Sequence, residues 1–465
     1  MEHIKSNLHL IKLHDKFIGF DVSTLSIYDI KGSTADFVSG MEIPEEEAKN
    51  VCEELRYLAA KGYFTDVPPP ENMGSNQTNF NISIQNTLQC PLNCSYCFSK
   101  KIKTEPKNMS LEMADDIVRF IYEYFDGQSE LYEVYFTSGG EPLSNFPVIQ
   151  EVYRKSKDYG EIYKKHMHVG LTTNAVLMDK EKLDYLEKSD IRLALSIDGK
   201  KEEHDNNRKS YEGKGSYQSV VDILPDILNS KSETVSRAAA ICIITPEKKD
   251  YVGTFKYLVD LGFSKVHMKL VRNIDPEQPL VSLTDIPHIK ENYIKFFDFI
   301  AGEIIRNSWK YIIPLLDPNN TIGQIILNVL LHNKILYRCD AGRSKFSILP
   351  NGDIYPCDYF SMFPDTKMGN IKTGISEDAK AEWLNMKSIN LDNCKGCWCR
   401  YVCGGGCYFG RYLNNGKAEP VECEMQKFFV EEVIKMIYLI SKSNKKALKH
   451  LEICSEHTIR LIRYS

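Results

Sequence analysis

Apolar and polar positions alternate through residues 8–30, with breaks at His14-Asp15-Lys16 and Ser23-Thr24. A period of two with turn-like interruptions predicts a three-stranded meander. The period then lengthens. Pro44 and the acids Glu45, Glu46 and Glu47 open a helix in the order a first turn favours. Ala48, Val51, Cys52, Leu55, Leu58 and Ala59 recur on one face, and Gly62 ends the run. Cys52 is thereby predicted to be a buried core thiol. A polar stretch containing Pro68-Pro69-Pro70 follows, as expected of a linker. Beyond it, short apolar runs over 82–85, 133–137, 166–172, 191–196, 236–244 and 265–271 alternate with amphipathic stretches. Six such units predict parallel strands with helical crossovers, an α/β sheet or partial barrel with its chemistry at the carboxyl ends of the strands. Residues 280–335 read as helical and connecting. After Cys339 short strands, turns and cysteines take over, and the tail over 424–461 is a helical pattern. The resulting division is a small α+β module over 1–66, a linker over 67–80, the α/β core over 81–310, a connecting helical region over 311–338, and a cysteine-rich domain with a C-terminal helix over 339–465.

Composition narrows the field. Of 465 residues, 43% are hydrophobic and 26% charged, and the formal net charge is −5 with the basic residues dispersed. That profile excludes a nucleic-acid groove or a basic membrane-binding face. No apolar run approaches the roughly 20 residues of a membrane span, and residues 1–10 lack the layout of a signal peptide. The expectation is a cytoplasmic protein, where 14 cysteines read as metal or redox ligands rather than disulfides. They are also clustered. Three lie between Cys90 and Cys97 and eight between Cys339 and Cys423, while Cys52, Cys242 and Cys454 stand alone.

Cys90, Cys94 and Cys97 have the spacing CxxxCxxC directly after the first core strand. Three thiolates on one loop can hold three corners of a four-iron cubane and leave the fourth iron open for a chelating ligand. A zinc site would pair knuckles and close with four ligands. The chain here resembles the radical S-adenosylmethionine (SAM) superfamily, with Tyr96 as the usual aromatic before the last cysteine. The second strand ends in Thr137-Ser138-Gly139-Gly140-Glu141-Pro142, similar to the family's Gly-Gly-Glu-Pro motif. The third runs into Thr173-Asn174-Ala175, with alanine where the family usually has glycine. The fourth gives Ser196-Ile197-Asp198-Gly199, followed by His204 and Arg208. The resemblance implies a TIM-like partial (β/α)6 barrel in which Cys90, Cys94 and Cys97 carry the catalytic cluster. Gly139 and Gly140 would let backbone approach the methionine moiety of SAM, Glu141 would take its ammonium group, and Asn174 belongs to the same pocket. Ser196 and Arg208 would contact its carboxylate or ribose with Asp198 nearby, and Ile241 and Ile243 would flank the adenine. Read without the family, these are polar strand ends and core residues. The implied reaction is reductive cleavage of SAM to a 5′-deoxyadenosyl radical that abstracts hydrogen from an unactivated carbon, fed by an electron donor such as flavodoxin or ferredoxin.

In the second cysteine region Cys339, Gly352, Cys357, Cys394, Cys397, Cys403, Cys407 and Cys423 are spaced as in the family's SPASM domain. By resemblance Cys394, Cys397, Cys403 and Cys423 hold an outer auxiliary cluster and Cys339, Cys357 and Cys407 an inner one, three [4Fe–4S] clusters in all. Two cubanes ask for eight ligands and the pattern supplies seven. Either an inner position is open or Cys399 fills it, unless Cys399 merely points away in its turn. SPASM enzymes act mostly on peptides, and the N-terminal module resembles the element by which peptide maturases bind a leader as an added strand. The resemblance therefore implies a precursor peptide with a leader as partner, and a maturase that installs intramolecular thioether cross-links. Carbon–carbon cross-linking and formylglycine formation on a sulfatase are the alternatives.

Overall fold

The computed structural model describes residues 7–64, 79–126, 128–129 and 131–464. The expected linker lies, up to residue 78, outside the described residues. The chain forms two compact units, each assembled from separated stretches.

The first unit draws on residues 1–75, 282–339 and 386–465. It opens with the meander β1 (Leu8–Leu13), β2 (Lys16–Asp21) and β3 (Ser26–Ile30), antiparallel and in that order across the sheet. Two helices, Gly32–Val38 and Glu45–Ala60, follow. Sequence periodicity does not announce the first, whose Gly, Ser, Thr and Asp are weak helix formers. Burial of Thr34 and Ala35 and the bond from Thr34 Oγ1 to Glu54 hold it. The second buries Val51, Leu55 and Leu58, a narrower stripe than expected. Cys52, about 100° round from Val51, is exposed, so the core-thiol expectation is corrected. The tail is two helices, Pro420–Ser443 and Lys445–Tyr464. They break at Asn444, whose side chain accepts from Ala447 N (3.1 Å) and donates to Ile305 O (2.9 Å). The first is apolar over much of its surface and packs against helix Ile286–Ile305 and the meander.

The second unit draws on residues 76–281 and 340–385. Strands β4 (Asn79–Ile84), β5 (Leu131–Phe136), β6 (His166–Thr173), β7 (Arg192–Ser196), β8 (Ala239–Ile244) and β9 (Lys265–Leu270) are parallel and adjacent in chain order, with helical crossovers. This is the α/β partial barrel expected, although residues 233–236 form a helical turn before β8 rather than its start. The sheet continues past β4 through β10 (Lys345–Ile348), parallel to it, and then antiparallel β11 (Asp353–Tyr355), β12 (Gly369–Asn370) and β13 (Gly374–Ile375). Gly352 lies in the β10–β11 turn. Because β4–β9 all run one way, their carboxyl ends gather the loops that hold the chemistry. Among the described residues no helix is long and apolar enough to cross a membrane.

Candidate active site and cluster cavity

The loop after β4 carries Cys90, Cys94 and Cys97, and neighbouring loops clamp it at both ends. On one side Gly140 N donates to Thr87 O (2.6 Å) and Glu141 N to Gln89 O (2.8 Å). A Cβ on Gly140 would lie 2.0 Å from Gln89 O, and one on Gly139, at φ +90°, 2.6 Å from Thr87 O. These glycines are therefore required by the backbone just before Cys90, a reason the motif alone does not disclose. On the other side Asn93 N donates to Lys209 O (2.6 Å), Ser95 N to Asn207 O (3.0 Å) and Lys100 Nζ to Cys94 O (2.7 Å). The Cys90 sulfur accepts from Leu92 N at 3.4 Å and from Asn174 Nδ2 at 3.7 Å. Burial pushes the Cys90 thiol up to about 12. Loading a metal must therefore displace that proton.

Glu141 is buried between strand ends. Its carboxylate accepts from Thr173 Oγ1 (2.6 Å), Leu143 N (3.2 Å) and Asn174 N (2.9 Å). Burial outweighs these bonds and raises its pKa. One of the roughly four acceptor positions of a carboxylate remains. Ala175, the departure from the family pattern, has φ +61°, the left-handed region where glycine is at ease.

Asp198 is completely buried and fully engaged. It accepts from Arg208 Nε (3.0 Å) and Nη2 (3.1 Å), Tyr96 Oη (2.6 Å) and Ile243 N (2.9 Å). The Arg208 guanidinium lies 5.5 Å from the Tyr96 ring centroid. Asp198 thus acts as a positioning residue, joining the cluster loop, β8 and Arg208. Behind it, His204 Nδ1 accepts from Asp198 N (3.3 Å), which leaves Nε2–H to donate to Ser216 Oγ (3.0 Å). Burial, then the neighbouring Arg208 charge, lowers the His204 pKa to about 4. Ser196 is half-buried at the end of β7. Ile241 and Ile243 are half-buried on one face of β8, and Cys242 and Ile244 are buried on the other, the alternation a strand imposes.

In the first unit Cys394, Cys397, Cys403 and Cys423 line one cavity, together with Cys399, Cys407 and Arg411. Among the described residues no three Cys, His, Asp or Glu side chains close on a single ion; these thiols enclose a volume instead. Four soft thiols around such a volume suit an iron–sulfur cubane. Arg411, buried, donates from Nη2 to Cys394 Sγ (2.7 Å), from Nε to Gly405 O (2.7 Å) and from Nη1 to Gly416 O (3.1 Å). Nothing in its spacing marks it beforehand. Cys399, buried, and Cys403 both line this cavity. Of the expected inner ligands, Cys339 and Cys407 belong to the first unit and Cys357, just before the turn Asp358–Met362, to the second.

Residues 85–267 match the sequence profile of the radical SAM superfamily, and residues 339–398 that of the iron–sulfur cluster-binding SPASM domain. The chain is a radical SAM enzyme with a SPASM domain. SAM and [4Fe–4S] clusters are accordingly its cofactors. This radical SAM enzyme is similar to the serine-type anaerobic sulfatase-maturating enzyme of Bacteroides thetaiotaomicron, with 25% identity over 71% of this chain and 83% of that one. It is 24% identical to a cysteine-type anaerobic sulfatase-maturating enzyme of Clostridium perfringens, over 74% of this chain and 92% of that one. In fold it resembles anSMEcpe, solved with AdoMet and a Cp18Cys peptide, with a TM-score of 0.63 and 20% identity over 79% of this chain and 99% of that one. Streptococcus suis SuiB, solved bound to precursor peptide SuiA, matches 90% of this radical SAM chain and 98% of its own at a TM-score of 0.52 and 14% identity.

Proposed function

We propose that this radical SAM enzyme matures a ribosomally made precursor peptide by installing thioether cross-links, each from a cysteine sulfur to a carbon of another residue. The observation that carries the reading is the N-terminal meander, in which, among the described residues, the outer strands β1 and β3 each have one hydrogen-bonded neighbour. Such an edge accepts an extended leader peptide as an added strand. The likeness to SuiB, whose structure holds a precursor peptide, extends over 90% of the chain and supports it.

Cys90, Cys94 and Cys97 would hold the first cluster, which with SAM bound would supply the radical chemistry that removes hydrogen from carbon. The chain positions the reactants. Leu92 N and Asn174 Nδ2 steady the Cys90 sulfur, Asp198 fixes Arg208 and Tyr96, and Ile241 and Ile243 offer an apolar face to a base. The choice of sulfur as partner follows from ligand number. The family pattern supplies seven thiols where two cubanes ask for eight, which would leave the inner cluster one ligand short. An open iron would lower the pKa of a substrate thiol and hold it in place. The named relatives that mature sulfatases favour a second reading, oxidation of a cysteine or serine to formylglycine.

The test has two parts. Anaerobically reconstituted protein should hold about twelve irons per chain, falling to about eight when Cys90, Cys94 and Cys97 are changed to Ala. Incubated with SAM, a reductant and a cysteine-containing precursor, it should release 5′-deoxyadenosine. The peptide should lose two hydrogens and one alkylatable thiol. Loss of two hydrogens with every thiol still alkylatable would point to a carbon–carbon link, and an aldehyde trapped by hydrazine to formylglycine. About four irons in the native chain would remove the basis for sulfur capture.

A further inference from the structure

The outer cavity is lined by six thiols; with four for its cluster and Cys407 expected in the inner one, Cys399 is left over. Cys399 is 1% exposed and lines the same cavity as Cys394, Cys397, Cys403 and Cys423. It stands four residues before Cys403 on one helical turn, where Cys403 N donates to Cys399 O at 2.8 Å. Residues spaced i and i+4 present side chains to the same side, and here both thiols line the one cavity. The residue between Cys397 and Cys399 is held from outside. Trp398 stacks on His9 with ring centroids 3.6 Å apart and planes 3° apart, and His9 Nε2 bonds Glu431 Oε1 at 3.0 Å. With the indole fixed on the outer side and Arg400 bonded to Asn7 Oδ1 (3.1 Å) and Cys397 O (3.0 Å), Cys399 is kept on the cavity side.

We propose that Cys399 is an alternate ligand of the outer auxiliary cluster, interchangeable with Cys403 at one corner. The inference rests on the reading of this cavity as a cubane site. In the exchange the iron–sulfur bond to Cys403 breaks and one to Cys399 forms. The thiol proton of Cys399 passes to the departing Cys403 sulfur, and no electron is transferred. The cluster therefore keeps four thiolates throughout.

The full-length chain, reconstituted without oxygen, tests this by iron and sulfide content and by the electron paramagnetic resonance of the reduced clusters. Cys399→Ala and Cys403→Ala should each retain the native iron content. Cys403→Ala should also shift the resonance of one cluster. The double variant should lose about four irons, matching Cys394→Ala/Cys397→Ala. Loss of those irons in Cys403→Ala alone, or their retention in the double variant, overturns the proposal. The SAM-induced change in the resonance of the first cluster reports that each variant is folded. If Cys403→Ala fails that check, Cys403→Val, which fills the thiol's space but cannot ligate, is judged by the same outcomes. Failure of Cys394→Ala/Cys397→Ala to lose iron would instead refute the outer cluster itself, a result distinct from a failure of Cys399.

Discussion

Four hydrogen bonds converge on the buried carboxylate of Asp198, and Arg208, its bidentate partner, is buried with it. Removing one member of such a pair strands the other charge. Asp198→Asn should cost about 3–5 kcal/mol, read as a lower urea midpoint with an unchanged slope. His204 beside it sets a pH limit. Its pKa is about 4 in the folded chain against an ordinary value near 6.5. Between these values the unfolded chain binds the extra proton, so stability is fully present above about pH 6.5 and declines as pH falls toward 4. The loss approaches about 3 kcal/mol. Denaturant unfolding of the native chain and His204→Gln should show it: the native curve falls through that window and the variant's falls less. At Ala175 the strain is in the backbone. Ala175→Gly relieves the left-handed conformation and should raise stability by up to about 1 kcal/mol, visible as a higher melting temperature.

Among elements, the join between the cluster loop and the end of β5 is the tightest. Gly140→Ala would drive a methyl group into Gln89 O, one residue before Cys90. The loop has to shift while the sheet behind it stays paired. The expected result is loss of about four irons with little change in far-ultraviolet circular dichroism; full iron content would show that the loop yields without releasing its ligands. The elements themselves were largely legible. Six apolar runs of strand length between amphipathic stretches can hardly be arranged otherwise than as parallel strands. The elements that were not legible were decided by neighbours. Weak formers make a helix at Gly32–Val38 because Thr34 and Ala35 are buried there, and the tail breaks where Asn444 reaches Ile305 O. Cys52 lies just outside a stripe whose width is set by what the helix packs against.

At the scale of the molecule, each compact unit is assembled from stretches far apart in the chain. The meander meets the cysteine-rich loop within the first unit, through His9 on Trp398 and Asn7 on Arg400. His9→Ala should remove the stacked ring and its bond to Glu431. Hydrogen exchange at the amides of residues 397–400 should then accelerate, with the amides of β4–β9 unchanged; equal protection in both proteins would count against this link. The sequence by itself determined the spacing of three thiols after the first core strand, the six parallel strands with helical crossovers and the presence of a second cysteine region. Those features are carried by local spacing and periodicity, which survive in a string of letters. Only the tertiary structure decided that Gly139 and Gly140 serve the backbone before Cys90, that Asp198 is saturated, that Arg411 donates to Cys394, and that Cys399 faces the outer cavity. Each of these depends on which distant backbone or side chain arrives within about 3 Å, the range over which a hydrogen bond acts.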